Sequence, residues 1–215
     1  MKLFVLQISL FICVAFHAQN GGNSAFQFLN FSNSARVEAA GGYLLTVKDS
    51  DASLGVENPS LLNSSMHGFL ALNYVNYFAN SSYGYSSYTK HYTEIGTFNA
   101  SLLFANYGKF ENADVSGVRN GSTFSANDVA LAFAYGRELD SNFSIGADVK
   151  FVGSFLEAYS AYGICSDIAA TYTKKVNGFA AAFMIKNLGT QLKTYTSNNR
   201  ESLPLNILLA FSKKL

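Results

Sequence analysis

The sequence contains little charge. Lysine, arginine, aspartate and glutamate together make up 13% of its 215 residues, and the formal net charge is +1. An average soluble domain carries roughly 25% charged residues. Phosphate contacts need clustered lysine and arginine, so this balance predicts no nucleic acid partner. A chain with so few charges is also poorly suited to a surface that faces water on every side.

Cysteine, proline and tryptophan are scarce as well, with two cysteines, two prolines and no tryptophan. Cys13 lies in an apolar N-terminal run, so cleavage of that run would leave Cys165 alone and exclude an intramolecular disulfide. His67 and His91 are well separated in sequence, and with one cysteine they give no spacing typical of a metal site. The composition predicts neither a disulfide framework nor a metal centre.

Aromatic residues and glycine are abundant by contrast. Phenylalanine and tyrosine make up 15% of the chain, which also has 17 glycines. A membrane β-barrel uses this mixture for an apolar outer wall and for aromatic girdles. A secreted β-sandwich also uses tyrosine, phenylalanine and glycine heavily, so composition alone leaves both classes open.

The first residues predict export. Met1 and Lys2 form a short positive region, residues 3–16 are mostly apolar, and Ala18 precedes the expected cut. Residues 1–18 are therefore predicted to be a signal peptide. The apolar run is shorter than the about 20 residues that a membrane helix needs, and no later stretch reaches that length. If the mature chain spans a membrane, it does so with strands.

Residues 19–65 differ in composition from the rest of the chain. They are rich in glycine, alanine, serine and asparagine, and they predict an irregular, plug-like N-terminal segment with a short helix near residues 34–40. Asn58 followed by Pro59 predicts a second helix start, because asparagine caps helices and proline fits their first position.

From residue 66 to residue 215 the apolar residues alternate with period two, which predicts strands. In residues 143–152, large apolar side chains point one way, whereas Ser144, Gly146, Asp148 and Lys150 point the other. Eight strands are predicted, at about residues 67–78, 82–92, 96–107, 128–136, 143–152, 162–172, 179–186 and 205–212. Residues 139–142 predict a tight hairpin turn, while residues 108–125 and 188–203 are polar and predict longer loops.

This pattern predicts an all-β fold, an antiparallel transmembrane β-barrel whose short turns alternate with longer loops. A soluble β-sandwich whose sheets each have one solvent-exposed face gives a similar alternation. The barrel is favoured because one face is large and apolar, whereas the other is small or charged and includes Asp148, Lys150, Asp167 and Lys186. We expect these four side chains to form a charge network within the wall. A polar permeation path is the alternative interpretation.

Several motifs resemble a known family. Those of the N-terminal segment are similar to the entry signature of the long-chain fatty-acid transporter superfamily: Ser34-Ala35-Arg36, Ala39-Ala40-Gly41-Gly42, Asp49, Asp51-Ala52-Ser53 and Asn58-Pro59-Ser60-Leu61. Others resemble the PorQ family, outer-membrane components of the type IX secretion system of Bacteroidota, chiefly those at residues 105–110, 186–195 and 199–204. The resemblance covers nearly all of the chain after the signal peptide.

The resemblance implies a non-enzymatic protein of the cell outer membrane that anchors secretion and attachment partners at the surface, namely PorZ-like and PorU/PorV-like proteins. The two polar loops are the expected contact regions. Members of the family are longer and their relatives close with more strands, so the chain is expected to be truncated and its sheet of about eight strands incomplete. A transporter-like channel for a hydrophobic solute and a non-functional remnant are the alternative functions.

No catalytic, cofactor-binding or metal-binding residue is predicted. Ser87 and Lys90 match the Ser-x-x-Lys spacing of penicillin-binding proteins, but that chemistry needs a helix, on which the two side chains lie one turn apart. In a strand, positions three apart point to opposite faces. Asp49 and Asp51 have no calcium-binding loop around them and are expected at a turn or on the inner wall.

Overall fold

A computed structural model of the chain describes residues 24–32, 34–114, 116–174, 176–196 and 200–214. The predicted signal peptide of residues 1–18 lies outside this part, as does the predicted cleavage site. Within the described ranges, none of the helices combines the length and the apolar character that crossing a membrane requires.

Over the described residues, eight strands form one sheet in which every strand pairs antiparallel with its neighbours in sequence. The strands are β1 (Leu70–Asn76), β2 (Ser82–Tyr92), β3 (Gly96–Ala113), β4 (Arg119–Glu138), β5 (Phe143–Leu156), β6 (Tyr159–Lys174), β7 (Phe179–Lys193) and β8 (Asn206–Lys213). β1 and β8 are the two edges of this sheet and do not pair with each other. The predicted all-β, antiparallel architecture is confirmed, and the open sheet is consistent with an incomplete barrel.

The predicted faces of the strands are also confirmed. In β4, Ala130, Ala132 and Ala134 are buried, whereas Leu131 and Phe133 between them are exposed. Alternation of this kind follows from the two-residue period of a strand. We call the face of the buried alanines the inner face and the opposite face the outer surface.

The predicted loop at residues 108–125 is largely strand, and the predicted loop at residues 188–203 begins with strand, so the first prediction is wrong and the second is wrong over residues 188–193. Residues 108–113 extend β3 and residues 119–125 extend β4, so that residues 114–118 are all that separates the two strands in sequence. Residues 188–193 likewise extend β7. The extended β3–β4 hairpin is mostly exposed on both sides and contains shifts in pairing register between Asn106 and Lys109 and between Glu111 and Ala113. Without one buried face, the period-two signal disappears from the sequence.

The sheet has two different ends. At one end, β2–β3, β4–β5 and β6–β7 are joined by residues 93–95, 139–142 and 175–178, and we call it the short-turn end. At the other end, which carries the extended β3–β4 hairpin and the long connection from β7 to β8, the connections are residues 77–81, 114–118, 157–158 and 194–205. The predicted tight turn at 139–142 is confirmed; Asp140 accepts hydrogen bonds there from the backbone N–H groups of Asn142 and Phe143.

The N-terminal segment is built from short helices. They are the 3₁₀ helices Gln27–Asn30, Pro59–Leu61 and Ser64–Met66 and the α-helices α1 (Ala35–Ala39) and α2 (Ala52–Glu57). The helix predicted near residues 34–40 and the helix start at Asn58 and Pro59 are confirmed. α2 was not predicted.

The N-terminal segment packs against the inner face of the sheet. Phe26, Phe28 and Leu29 join a core cluster with inner-face residues of β2 to β6, and Leu54, Leu61, Leu62 and Met66 join another that includes Ala134. The N-terminal segment can approach the sheet closely because the inner face carries small residues there. A Cβ atom on Gly146 would lie 2.2 Å from the carbonyl carbon of Pro59, and one on Gly136 would lie 2.4 Å from its oxygen.

Candidate functional site

The outer surface is apolar over most of the sheet. Its large exposed side chains come from all eight strands of the described sheet, and examples are Leu72, Tyr88, Leu102, Leu131, Phe133, Ile145, Phe151, Ile168, Phe183, Leu209 and Phe211. A monomeric soluble protein rarely exposes a continuous apolar patch of more than a few hundred Å². Strands that alternate in this way and have an apolar outside are compatible with the wall of an outer-membrane β-barrel.

Aromatic rings form contacts on the outer surface near both ends of the sheet. At the short-turn end, the ring centroid of Phe98 lies 5.0 Å from that of Tyr135 and 5.9 Å from that of Tyr92. Toward the other end, the rings of Phe155 and Tyr162 are 5.9 Å apart. Rings at these levels are typical of the girdles that meet the two interfaces of a bilayer.

A buried cluster of charges lies on the inner face of β5, β6 and β7. The Nζ atom of Lys150 lies 2.6 Å from Oδ2 of Asp167 and 3.8 Å from Oδ2 of Asp148, and it donates to Oδ1 of Asn187 at 3.1 Å. The backbone N–H of Asn187 donates to Oδ1 of Asp167 at 2.7 Å. Both oxygens of the fully buried Asp167 are therefore hydrogen-bonded, as a buried carboxylate requires. The predicted network of inner charges is confirmed for Asp148, Lys150 and Asp167.

The fourth predicted member of the network contacts the N-terminal segment. The Nζ atom of Lys186 lies 3.4 Å from Oε2 of Glu57, at the end of α2, and both side chains are almost fully buried. Glu57 was missed in the sequence. The pairing of two residues 129 positions apart leaves no local signal, although a glutamate beside apolar residues in a short segment indicates a buried partner.

Arg36 organises the exposed side of the N-terminal segment. Its guanidinium group contacts Asp49 at 2.7 Å and Asp51 at 3.0 Å. The hydrogen bond from Arg36 lowers the pKa of the Asp49 carboxyl. Burial raises the pKa of Asp51, but hydrogen bonds from Ser53 and Arg36 outweigh burial and lower it overall. The predicted turn location of the two aspartates is correct, and their partner is Arg36.

The same segment uses its polar side chains to fix short helices onto the sheet. Asp51 accepts a hydrogen bond from the N–H of Ser53 and caps α2. Asn58 caps the helix Pro59–Leu61 through the N–H of Ser60, and its amide donates to the carbonyl of Leu45 at 2.9 Å. The hydroxyl of Ser60 lies 2.7 Å from that of Thr171 in β6. The motif residues of the resemblance thus have definite structural roles here: they fold the segment and dock it.

The residues with catalytic or metal-binding potential are spread over different parts of the structure. Ser87 is buried on the inner face, whereas Lys90 is exposed on the outer surface, 5.2 Å above the ring of Tyr92. His67 and His91, far apart in sequence, are neighbours: the backbone N–H of His91 donates to Nδ1 of His67 at 3.1 Å. Cys165 is buried and unpaired. Among the described residues, no three histidine, cysteine or acidic side chains are placed to hold a metal ion.

Comparison of the chain with protein-family models and with curated proteins gave no match.

Proposed function

We propose that this protein resides in the cell outer membrane as a non-enzymatic component of the type IX secretion system, where it anchors partners that process and attach cargo at the cell surface. The apolar outer surface carries the first half of this proposal. Eight strands, counted over the described residues, present large apolar side chains outward, and a bilayer is the environment that matches such a surface. The low charge of the sequence agrees with that environment.

The scaffolding half of the proposal is supported by the resemblance to the PorQ family and by the structure of the motifs that carry it. Arg36, Asp49, Asp51, Asn58 and Ser60 form hydrogen bonds that hold the N-terminal segment against the sheet. A rigid wall with a docked inner segment is suited to holding other proteins. The extended β3–β4 hairpin and the connection from β7 to β8 are the proposed contacts for PorZ-like and PorU/PorV-like partners.

A channel for a hydrophobic solute is less well supported. Such a channel needs an apolar route along the inner face. The inner face instead carries the buried charges of Asp148, Lys150, Asp167 and Lys186, and the N-terminal segment covers it. Apolar solutes gain nothing from contact with charged groups that are already paired with each other.

The test is recovery of the tagged full-length protein from cells that possess the secretion system. We expect the protein in the outer-membrane fraction and, after chemical crosslinking and detergent extraction, PorZ-like and PorU/PorV-like proteins bound to it. A matched bait in which residues 114–118 are replaced by Gly-Asn-Gly should remain in the membrane and bind fewer partners.

The two halves of the proposal can fail separately. Recovery of the mature protein as a detergent-free monomer from the periplasm would overturn the membrane assignment. Recovery in the outer membrane without secretion partners would overturn scaffolding and leave the membrane assignment in place.

A further inference from the structure

A cavity of about 470 Å³ lies at the end of the sheet that carries the extended β3–β4 hairpin, between the N-terminal segment, the β1–β2 connection, β2 and β3. We call it the rim pocket; it is lined by Asn30, Phe31, Ser32, Glu38, Tyr77, Phe78, Ser81, Ser82, Tyr83, Ala105, Asn106 and Tyr107. Its volume is in the range of small-molecule sites, which are mostly apolar with a few polar groups. The charge cluster described above contributes no residue to it.

Aromatic rings form much of the wall of the rim pocket. The ring of Phe31 lies 5.0 Å from that of Tyr83, and the ring of Tyr77 lies 4.3 Å from Phe78 and 6.4 Å from Tyr83. Tyr107 is held in place by its hydroxyl, which donates to Asp128 at 2.6 Å. Rings brought together from three separate parts of the chain present their faces and edges to one small volume.

The backbone beside the rings is strained. Ala79 and Asn80 follow Phe78 in a sharp turn and have φ values of 56° and 59°. The left-handed region is unfavourable for a residue with a Cβ atom, and alanine has no side chain that compensates by local hydrogen bonding. Strained backbone of this kind is concentrated at binding sites, where it fixes the positions of neighbouring side chains. Here it fixes Tyr77 and Phe78 at the mouth of the rim pocket.

Glu38 gives the rim pocket a negative charge without a protein partner. Among the residues that the structure describes, its carboxylate forms no hydrogen bond and no ion pair. Arg36, two residues away on the same short helix, is committed to Asp49 and Asp51. In the part of the chain that the structure describes, the lining contains no lysine, arginine or histidine. A carboxylate that lines the same cavity as several aromatic rings attracts a cation, because the ring faces are also negative.

We infer that the rim pocket binds an organic cation, either an alkylammonium or a guanidinium group. A cationic head would contact Glu38 and the ring faces of Tyr77 and Tyr83, while its alkyl stem would contact Phe31 and Phe78. Metal ions are disfavoured, because among the described residues Glu38 is the one carboxylate that lines the pocket, and a hard cation needs several oxygen ligands. This inference does not depend on the secretion role proposed above, because it concerns the chemistry of one cavity.

The test uses the full-length protein, refolded in dodecyl maltoside micelles, and isothermal titration calorimetry. The probes are N-acetyl-arginine amide, tetramethylammonium chloride and, as the uncharged analogue of the first, N-acetyl-citrulline amide. We expect at least one cation to bind about tenfold more tightly than the citrulline probe. Tighter binding of the arginine probe would assign the site to a side chain of a partner, and tighter binding of tetramethylammonium would assign it to a quaternary ammonium ligand.

Variants localise the binding. Glu38→Gln and Tyr83→Leu should each weaken cation binding about tenfold, whereas Tyr83→Phe, which keeps the ring, should stay within about twofold of the wild type. Glu94→Gln is the matched control, since Glu94 is also exposed but lies in the turn at the short-turn end. Binding of neither cation more tightly than the citrulline probe, no binding of either cation, or unchanged cation binding in Glu38→Gln would each overturn the inference. Glu38 is exposed, so that variant remains informative if Tyr83→Leu does not fold.

Discussion

The inner face and the outer surface of the sheet belong to the same strands, yet they are built on opposite principles. The inner face carries alanine, glycine and a few paired charges, and the N-terminal segment covers it. The outer surface carries leucine, isoleucine, phenylalanine and tyrosine, and no described residue covers it. The buried charges of Asp148, Lys150, Asp167 and Lys186 on the inner face all have charged partners, whereas the large apolar side chains of the outer surface pack against no described element. This difference is expected when protein contacts one face and lipid contacts the other.

Removal of one buried charge should have the largest effect on this contrast. Asp167→Ala leaves Lys150 buried with weaker contacts to Asp148 and Asn187, and we expect a loss of about 4 kcal/mol in the free energy of unfolding. Guanidinium titration of the protein in lipid vesicles measures this quantity.

The matched control for the buried charge is an exposed ion pair. Glu111→Ala removes the partner of Arg119 in the extended hairpin, where both side chains are more than half exposed, and it should cost less than about 1 kcal/mol. The double substitution Lys150→Met with Asp167→Leu should recover part of the loss, because neither charge is then left unpaired. If Asp167→Ala and Glu111→Ala lower the free energy of unfolding equally, the charges of the inner face are accessible to water.

A larger side chain on the inner face should have the next largest effect. Gly146→Val places its Cβ atom 2.2 Å from the carbonyl carbon of Pro59, so the helix Pro59–Leu61 has to move away from the sheet. We expect a loss of about 3 kcal/mol and faster protease cleavage within residues 34–65. Ala147→Val, at the next position but on the outer surface, should change neither measurement. If residues 34–65 stay protected from protease in Gly146→Val, the close contact between Pro59 and Gly146 is contradicted.

A charge on the outer surface should have a somewhat smaller effect, and only in a membrane. Phe133→Lys places an ammonium group in the middle of β4, and we expect a loss of about 2–3 kcal/mol when the protein is folded into vesicles. Val118→Lys, in the exposed loop of the β3–β4 hairpin, should have almost no effect. If the two lysine variants behave alike, the outer surface is not in contact with lipid tails.

The smallest effect should come from the exposed ion pairs of the N-terminal segment. Because Arg36 lowers the pKa values of Asp49 and Asp51 in the folded protein, these groups stabilise it at neutral pH. That contribution is lost as pH falls below the ordinary aspartate range of about 3.9 and through the lowered values. Arg36→Gln should therefore be less stable than the wild type at pH 7, and the difference should shrink in acid. A difference that is independent of pH would show that Arg36 acts by packing alone.

Much of the sheet could be predicted because each strand with one buried face carries its own alternation. The bounds of β2 were predicted as found, and the starts of β3, β5 and β7 were also correct. The extended halves of β3 and β4 were missed because both of their sides are exposed, so polar residues such as Lys109 and Glu111 occur without alternation. In β7 the alternation of buried and exposed residues shifts by one position at Lys186 and Asn187, which are both buried, and Asn187 has a φ of 61°. The strand after Asn187 was missed because its alternation is out of phase with that of the first part.

The candidate sites were predicted less completely than the sheet. The inner charges of β5, β6 and β7 were predicted from their positions within strands. Their link to Glu57, the contact between His67 and His91, and the rim pocket were not. Each of these joins residues that are distant in sequence, and no local pattern records such a contact.

The sequence by itself determined the strands that have one buried face and which side of each is apolar, because these features depend on residues within a few positions of each other. Only the tertiary structure decided where the N-terminal segment lies, which charges it pairs, and how Phe31, Glu38, Tyr77 and Tyr83 come to share one cavity. These depend on the curvature of the sheet and on the close approach that Gly136 and Gly146 permit. Both are properties of packing between distant parts of the chain.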